Sequence, residues 1–483
     1  MSDAAAAVTA PLSSSVAAPS QSTPSRLQAA GAERKARARA AMLEGPIVST
    51  LVKMALPTIG VMIAQTAVGI AETYYVGFLG TDALAGVALV FPIFMLMATT
   101  SNGGLGSGVA SAVARAIGAG RQQDADALVF HSIVVAIVCG ALFTGGILWA
   151  GPALYGALGG RDASLVAALE YSDILFSGAI AVWIVNLLAA ALRGSGNVKV
   201  PALVTLVGAI VMIPISPALI FGFGPIPRLG IAGAGVAFNL YYVGALFVML
   251  RYMRSGRSGL TLTVTPLQGR LFADILKVGL PTAFNAVQTN LCVILVTGAV
   301  GLFGTAALAG YGTASRLDYV LIPILFGLSS AVLTMVGINV GAGQGARARR
   351  IAWISMLVGV ALTGAIGIAA ALLPTLWVGL FTHDPDVMAA GAPYLRIVGP
   401  FYAFYGVGFV MSFAAQGAGK TLWPTIAVAA RLAVSAGIGW LAVASFGSTM
   451  TTLTWIVAAS FVAYALLSAG VMLQRAAWAP KAP

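Results

Sequence analysis

The residues able to do chemistry in this chain are few and widely spaced, and one carboxylate leads them. Glu72 stands in Gly69-Ile70-Ala71-Glu72-Thr73-Tyr74-Tyr75, after an uncharged run that begins at Met54. A charge at membrane depth costs on the order of 3 kcal/mol and tends to face a cavity, where it binds an ion or a proton. The alternative is a place at the outer interface, with Tyr74 and Tyr75, against water or headgroups. Gln65 lies seven residues earlier on the same helical face and fits the same cavity. Asn186, in Trp183-Ile184-Val185-Asn186, is the strong hydrogen-bonding amide of the fourth apolar segment. It reads equally as a third member of an ion-coupling group or as a helix–helix contact.

The second half offers candidates for a substrate cavity. Asn285 and Gln288 share one face of the seventh segment, with Thr289 and Asn290 close by. Arg316 and Asp318 stand two residues apart in the eighth, and mutual or nearby pairing is expected because each is costly unpaired. Arg431 is the lone charge of the eleventh and is a cavity candidate too. Pro57 and Pro281 sit inside the first segment of each half, as packing kinks or as bends used in gating. Asp173 and Arg396 follow Tyr171 and Tyr394 at equivalent positions, and an outer gate closed by their pairing is the reading to test. Three apparent motifs carry no chemistry. Gly419-Lys420-Thr421 lacks the first glycine of a nucleotide loop and follows no strand. His383-Asp384-Pro385-Asp386 is a turn, not a metal site. His131 is isolated. No cofactor, metal or catalytic constellation is expected.

The elements that must hold these residues follow from composition. Hydrophobic residues make up 59% of the 483 and charged ones 8%, against about 25% charged in soluble domains. Runs such as 128–150 and 351–373 exceed the 18 apolar residues that mark a membrane helix. Twelve such segments are predicted, at 50–78, 83–115, 127–150, 166–192, 199–222, 232–252, 274–302, 307–340, 351–374, 390–415, 424–446 and 452–474. Cys139 and Cys292 fall inside them as small packing residues. The net charge of +12 is a matter of sidedness: with the N-terminus inside, twenty-one Lys and Arg fall on the cytoplasmic side and two, Arg161 and Arg228, on the other. Both termini are therefore expected in the cytoplasm, and nucleic acid is not expected as a partner.

The chain also repeats itself. Leu56-Pro57-Thr58 recurs as Leu280-Pro281-Thr282, and Ala83-Leu84-Ala85-Gly86 as Ala307-Leu308-Ala309-Gly310. Gly118-Ala119-Gly120 returns as Gly341-Ala342-Gly343, and Gly194-x-Gly196 as Gly417-x-Gly419. Six helices per half make the halves parallel, about an axis along the membrane normal. The resulting organisation is a disordered basic tail (1–46), a first six-helix half (47–255), a cytoplasmic linker (256–273), a second half (274–475) and a short tail (476–483).

These motifs, with Leu192-Arg193-Gly194-Ser195-Gly196-Asn197 and Gly77-Phe78-Leu79-Gly80-Thr81-Asp82, resemble the multidrug and toxic compound extrusion transporters over residues 47–475. The resemblance implies an all-α membrane protein with twelve transmembrane helices in two pseudo-symmetric six-helix lobes. It also implies a bacterial inner membrane, export of small, often cationic or aromatic compounds, and exchange for H⁺ or Na⁺. Members of that family usually carry an Asp where this chain has Glu72, fifteen residues after the proline. Many sodium-coupled members have an acid on the seventh helix, where this chain has Val287-Gln288-Thr289-Asn290, so protons are favoured. A flippase for lipid-linked precursors is the alternative, although it would need a cluster of cations for pyrophosphate. No segment is long enough for a catalytic soluble domain, and the chain is expected to work as a monomer.

Overall fold

The computed structural model describes residues 39–225, 227–473 and 478. Among the described residues, eleven helices are long and apolar enough to cross a membrane, and one bent pair taken as a single span makes twelve. The first half holds α1 (Ile47–Gly77), α2 (Thr81–Gly118), α3 (Gln122–Ala157), the bent α4 (Asp162–Ser177 with Ala179–Gly194), α5 (Lys199–Phe221) and α6 (Ile231–Arg254). The second holds α7 (Gly269–Gly301), α8 (Thr305–Gly341), α9 (Gly345–Leu372), α10 (Pro385–Gly417), α11 (Leu422–Phe446) and α12 (Met450–Leu473). Each matches a predicted segment. The difference at α7, which starts at Gly269, is that five residues assigned to the linker are helical.

The internal repeat survives folding. The α1–α2 turn passes through Gly80 at φ 110° and the α7–α8 turn through Gly304 at φ 99°, a region open to glycine and strained for other residues. The fourth helix of each half also breaks at matching places. α4 bends by 49° at Gly178, and α10 tightens to a 3₁₀ turn at Gly399–Phe401.

Each half builds its own core, but the first helices are exchanged. Leu51 and Met54, at the start of α1, belong to the core of the second lobe with Leu321, Val332 and Ile351. Leu271 and Ile275, at the start of α7, belong to the core of the first lobe with Val109, Leu128 and Leu187. Each of these helices then returns to its own half, α1 against α5 and α7 against α11. The lobes meet along a seam of small residues, all in the half of the bundle nearest the termini. A Cβ on Gly118 would strike the Ile338 carbonyl, and one on Gly341 the Arg115 carbonyl. Gly108 abuts Gly279, and Gly104 abuts Ala283. Close approach of backbones through small residues is how membrane helices gain packing without a hydrophobic drive.

Two segments tie the lobes together at that same end. Residues 1–38 of the predicted disordered tail, and the C-terminal tail apart from Trp478, lie outside the described residues. The last part of the N-terminal tail is ordered, which corrects the sequence reading. Residues 39–44 are helical. Arg39 Nη2 donates to Gly118 O at 2.8 Å in the first lobe, and Asn339 Nδ2 of the second lobe donates to Met42 O at 3.1 Å. The linker lies along α3. Gln122 Nε2 donates to Gly259 O at 3.1 Å, Thr261 N to Asp126 Oδ1 at 2.8 Å, and Gln268 N to His131 Nε2 at 2.9 Å. Arg270 then pairs with Asp124 at 2.9 Å. His131 is thus no isolated ring; its two nitrogens fasten the linker and the Ala127 carbonyl.

Candidate substrate and ion-coupling site

Polar groups inside the first lobe fall at two levels. Gln65 of α1 and Asn186 of α4 line one cavity with Thr58, Asn102, Arg193 and Tyr241. Asn102 reaches the cavity from a π-helical turn, Thr99–Leu105, that widens α2 in its middle. The same turn presents Ser101, whose hydroxyl accepts from Asn186 Nδ2 at 2.8 Å. Arg193 Nη2 donates to Asn102 Oδ1 at 2.7 Å. The expected grouping of Gln65 with Asn186 is therefore present in this cavity, and Asn186 also makes the interhelical contact that was its alternative.

Glu72 is not in that cavity. Seven residues at 1.5 Å each place it about 10 Å farther along α1 than Gln65. Its neighbours are Ser216 of α5 and Tyr171 of α4, not Gln65 and Asn186 as the sequence implied. Its Oε1 is buried with no hydrogen-bond partner among the described residues. A buried carboxylate oxygen without a donor is costly as an anion. It is relieved by a proton or by a cation delivered to it.

The second lobe holds a separate polar cluster, in which Arg316 and Asp318 do not pair with each other and Asp318 has instead a nearby cation, the other form of pairing expected. Arg316 points outward, its Cζ 4.9 Å from the centre of the Phe381 ring. Asp318 turns inward, beside Tyr402, with Oδ1 buried and unpartnered. They part because residues two apart on a helical path lie about 200° apart and face opposite sides, and the backbone stays right-handed helical through Arg316 and Leu317. Arg431 is the cation that shares the inner pocket with Asp318. Its guanidinium lies over Tyr405 at 5.0 Å and Phe461 at 5.2 Å, where aromatic faces attract a cation. Asn285 and Gln288 are buried on α7, with their amide oxygens unpartnered.

The proposed gate residues are not together here. Asp173 and Arg396 are both exposed, and among the described residues neither belongs to an ion pair within 4.0 Å. Pro57 and Pro281 lie within helices that run on unbroken through them.

Sequence reasoning counted Arg193, like Arg115, only toward the cytoplasmic charge and gave it no place in a site. Both are helical, on α4 and α2. Asn102 was missed although Thr99-Thr100-Ser101-Asn102-Gly103-Gly104 is a polar run inside an apolar helix, which is the signal that could have found it.

Comparison with known proteins agrees with this architecture. The MatE family model matches residues 57–218 and 281–441. A probable multidrug resistance protein, NorM, of Thermotoga maritima is 28% identical over 382 residues, 78% of this chain and 81% of that protein. An FAD transporter of Shewanella oneidensis is 25% identical over 382 residues, 78% of this chain and 83% of that protein. The solved structure of a MOP superfamily transporter from Pyrococcus furiosus superposes with TM-score 0.83 at 22% identity, covering 91% of this chain and 98% of that one.

Proposed function

The chain belongs to the multidrug and toxic compound extrusion family, a multi-pass membrane transporter of the drug-efflux class, and from that premise we propose that it is an antiporter in which Glu72 couples ion entry to export. The observation that carries this reading is the buried, unpartnered oxygen of Glu72, held between α1, α4 and α5 of the first lobe. Protons are the favoured ion, because one carboxylate enclosed by a hydroxyl and a phenol supplies fewer oxygens than a bound sodium ion usually takes. Na⁺ is the alternative.

The positive-side bias supports a reading in which both termini lie in the cytoplasm of a bacterial plasma membrane. The seam at the terminal end then closes the cytoplasmic side, and the separation of Asp173 from Arg396 fits an outward-facing state. Glu72 would take its proton there and release it after the lobes rock inward. A proton moving inward across ~100 mV releases about 2.3 kcal/mol, available to drive a substrate the other way. The substrates are small organic molecules with aromatic parts, a class that fits relatives named for multidrug resistance and for FAD. The chain acts as a monomer, with the path between its own lobes.

The decisive experiment imposes H⁺ and Na⁺ gradients separately on proteoliposomes and follows a fluorescent aromatic probe, run once as the cation ethidium and once as the anion fluorescein. A proton gradient alone is expected to drive its accumulation. Movement with Na⁺ alone would transfer the coupling to sodium, and movement with neither would overturn antiport.

A further inference from the structure

Arg193 is a cation lining a cavity inside a membrane protein, and among the described residues no acid forms an ion pair with it within 4.0 Å. Its guanidinium donates to the neutral amide of Asn102 at 2.7 Å. Arg115, the comparable cation on α2, has the Asp274 carboxylate nearby and donates to Ser111. Arg431 in the second lobe has Asp318. Arg193 differs from both: its charge is held at a cavity wall against a neutral amide. An arginine has five N–H donors in a fork that suits carboxylate and phosphate oxygens.

The place of Arg193 matters as much as its charge. It lines the first-lobe cavity below Gln65 and Asn186, and it also lines the adjoining space between the lobes, with Ser107, Phe326 and Ser330. Thr334 of the second lobe donates to its backbone carbonyl at 3.0 Å. A ligand group held there would reach the seam that must part when the lobes rock. Above it, the amides of Gln65 and Asn186 and the phenol of Tyr241 offer hydrogen bonds and a flat surface to an uncharged ring.

We propose that Arg193, positioned by Asn102, receives an acidic group of the transported molecule, so that the preferred substrates are aromatic compounds bearing a carboxylate, sulfonate or phosphate. This inference rests on the transport reading and narrows its substrate class.

The test uses the full chain in lipid nanodiscs and two probes with one ring system, riboflavin and riboflavin 5′-phosphate, whose intrinsic fluorescence reports binding. The wild-type chain is expected to bind the phosphate at least about tenfold more tightly, with the margin shrinking as salt is added. Arg193→Gln should weaken binding of the phosphate far more than that of riboflavin and so erase the margin, and Arg193→Lys should keep part of it. Asn102→Asp sets a carboxylate against the intact guanidinium and should erase the margin too, which covers the case in which Arg193→Gln misfolds. Equal affinities in the wild type, no binding of the phosphate, or a margin that survives Asn102→Asp would overturn the proposal. Ethidium transport measured alongside separates the two readings. A chain that moves ethidium but shows no margin loses only the acidic-group inference. A chain that shows the margin but moves nothing under any gradient keeps the receptor and loses the transport reading.

Discussion

At the scale of single residues, Glu72 is the group whose chemistry can be isolated most cleanly. Glu72→Gln keeps the shape and hydrogen-bonding capacity of the side chain but removes the exchangeable charge. It is expected to reach the membrane at wild-type levels and to lose gradient-driven transport by at least tenfold, while Glu72→Asp retains part of it. Wild-type coupling in the glutamine variant, at matched expression, would return the residue to an interfacial role. This residue was legible because a single acid in an uncharged run has few bland explanations. Its neighbours were not. Spacing along α1 suggested Gln65, and the lone strong amide of the fourth segment suggested Asn186, whereas Ser216 and Tyr171 come from α5 and α4, whose rotation about their own axes no one-dimensional pattern reports. Arg316 and Asp318 make a related case. Mutual or nearby pairing was expected; residues two apart on a helical path face opposite sides, and the cation near Asp318 is Arg431, from a helix more than a hundred residues away.

At the scale of elements, the seam between α2 and α8 is where a small change should have a large effect. Gly118 and Gly341 are repeat-related, and each meets a backbone carbonyl of the opposing helix that cannot yield as a side-chain tip would. Gly118→Ala and Gly341→Ala should each push the seam open, at a cost on the order of 1–3 kcal/mol typical of overpacking. The expected readout is faster labelling of a cysteine at Ser330 by a thiol reagent applied from the terminal side, with a lowered melting temperature. Unchanged labelling would mean that the lobes do not rely on this contact to stay shut. Helix positions were readable from hydropathy and the repeat to within a few residues. The exchange of α1 and α7 between the lobes was not, because their apolar residues look alike whichever core receives them. The π-helical turn at Ala433–Ile438 likewise leaves no mark in an apolar pattern.

At the scale of the whole molecule, the parallel two-half arrangement fixes which loops share a side, and single-cysteine labelling in a background lacking Cys139 and Cys292 checks it. Exposed positions are needed, so Asp82, Asp162 and His383 serve for the outer side and Gln123, Ser255 and Arg350 for the cytoplasmic side. The first three are expected to react with impermeant reagents in intact cells and the second three only after permeabilisation. Outside labelling at Ser255 would undo the symmetry. The repeat made this arrangement legible without any structure, whereas the conformation was beyond it, since one sequence must encode both the open and the closed form. The linker bears on how those forms interconvert. Fourteen residues separate Arg254 from Gly269, enough to reach ~50 Å if drawn out. That length is never released, because Gly259, Thr261 and Gln268 are each fastened to α3. What looks like a rope between two bodies is a strip fixed along one of them, ending at a pivot where Gln268 meets α7. The second lobe can swing about that point but cannot drift from it, so travel grows with radius: almost none at Arg270 and Asp124, and the most at Asp173 and Arg396 on the far rim.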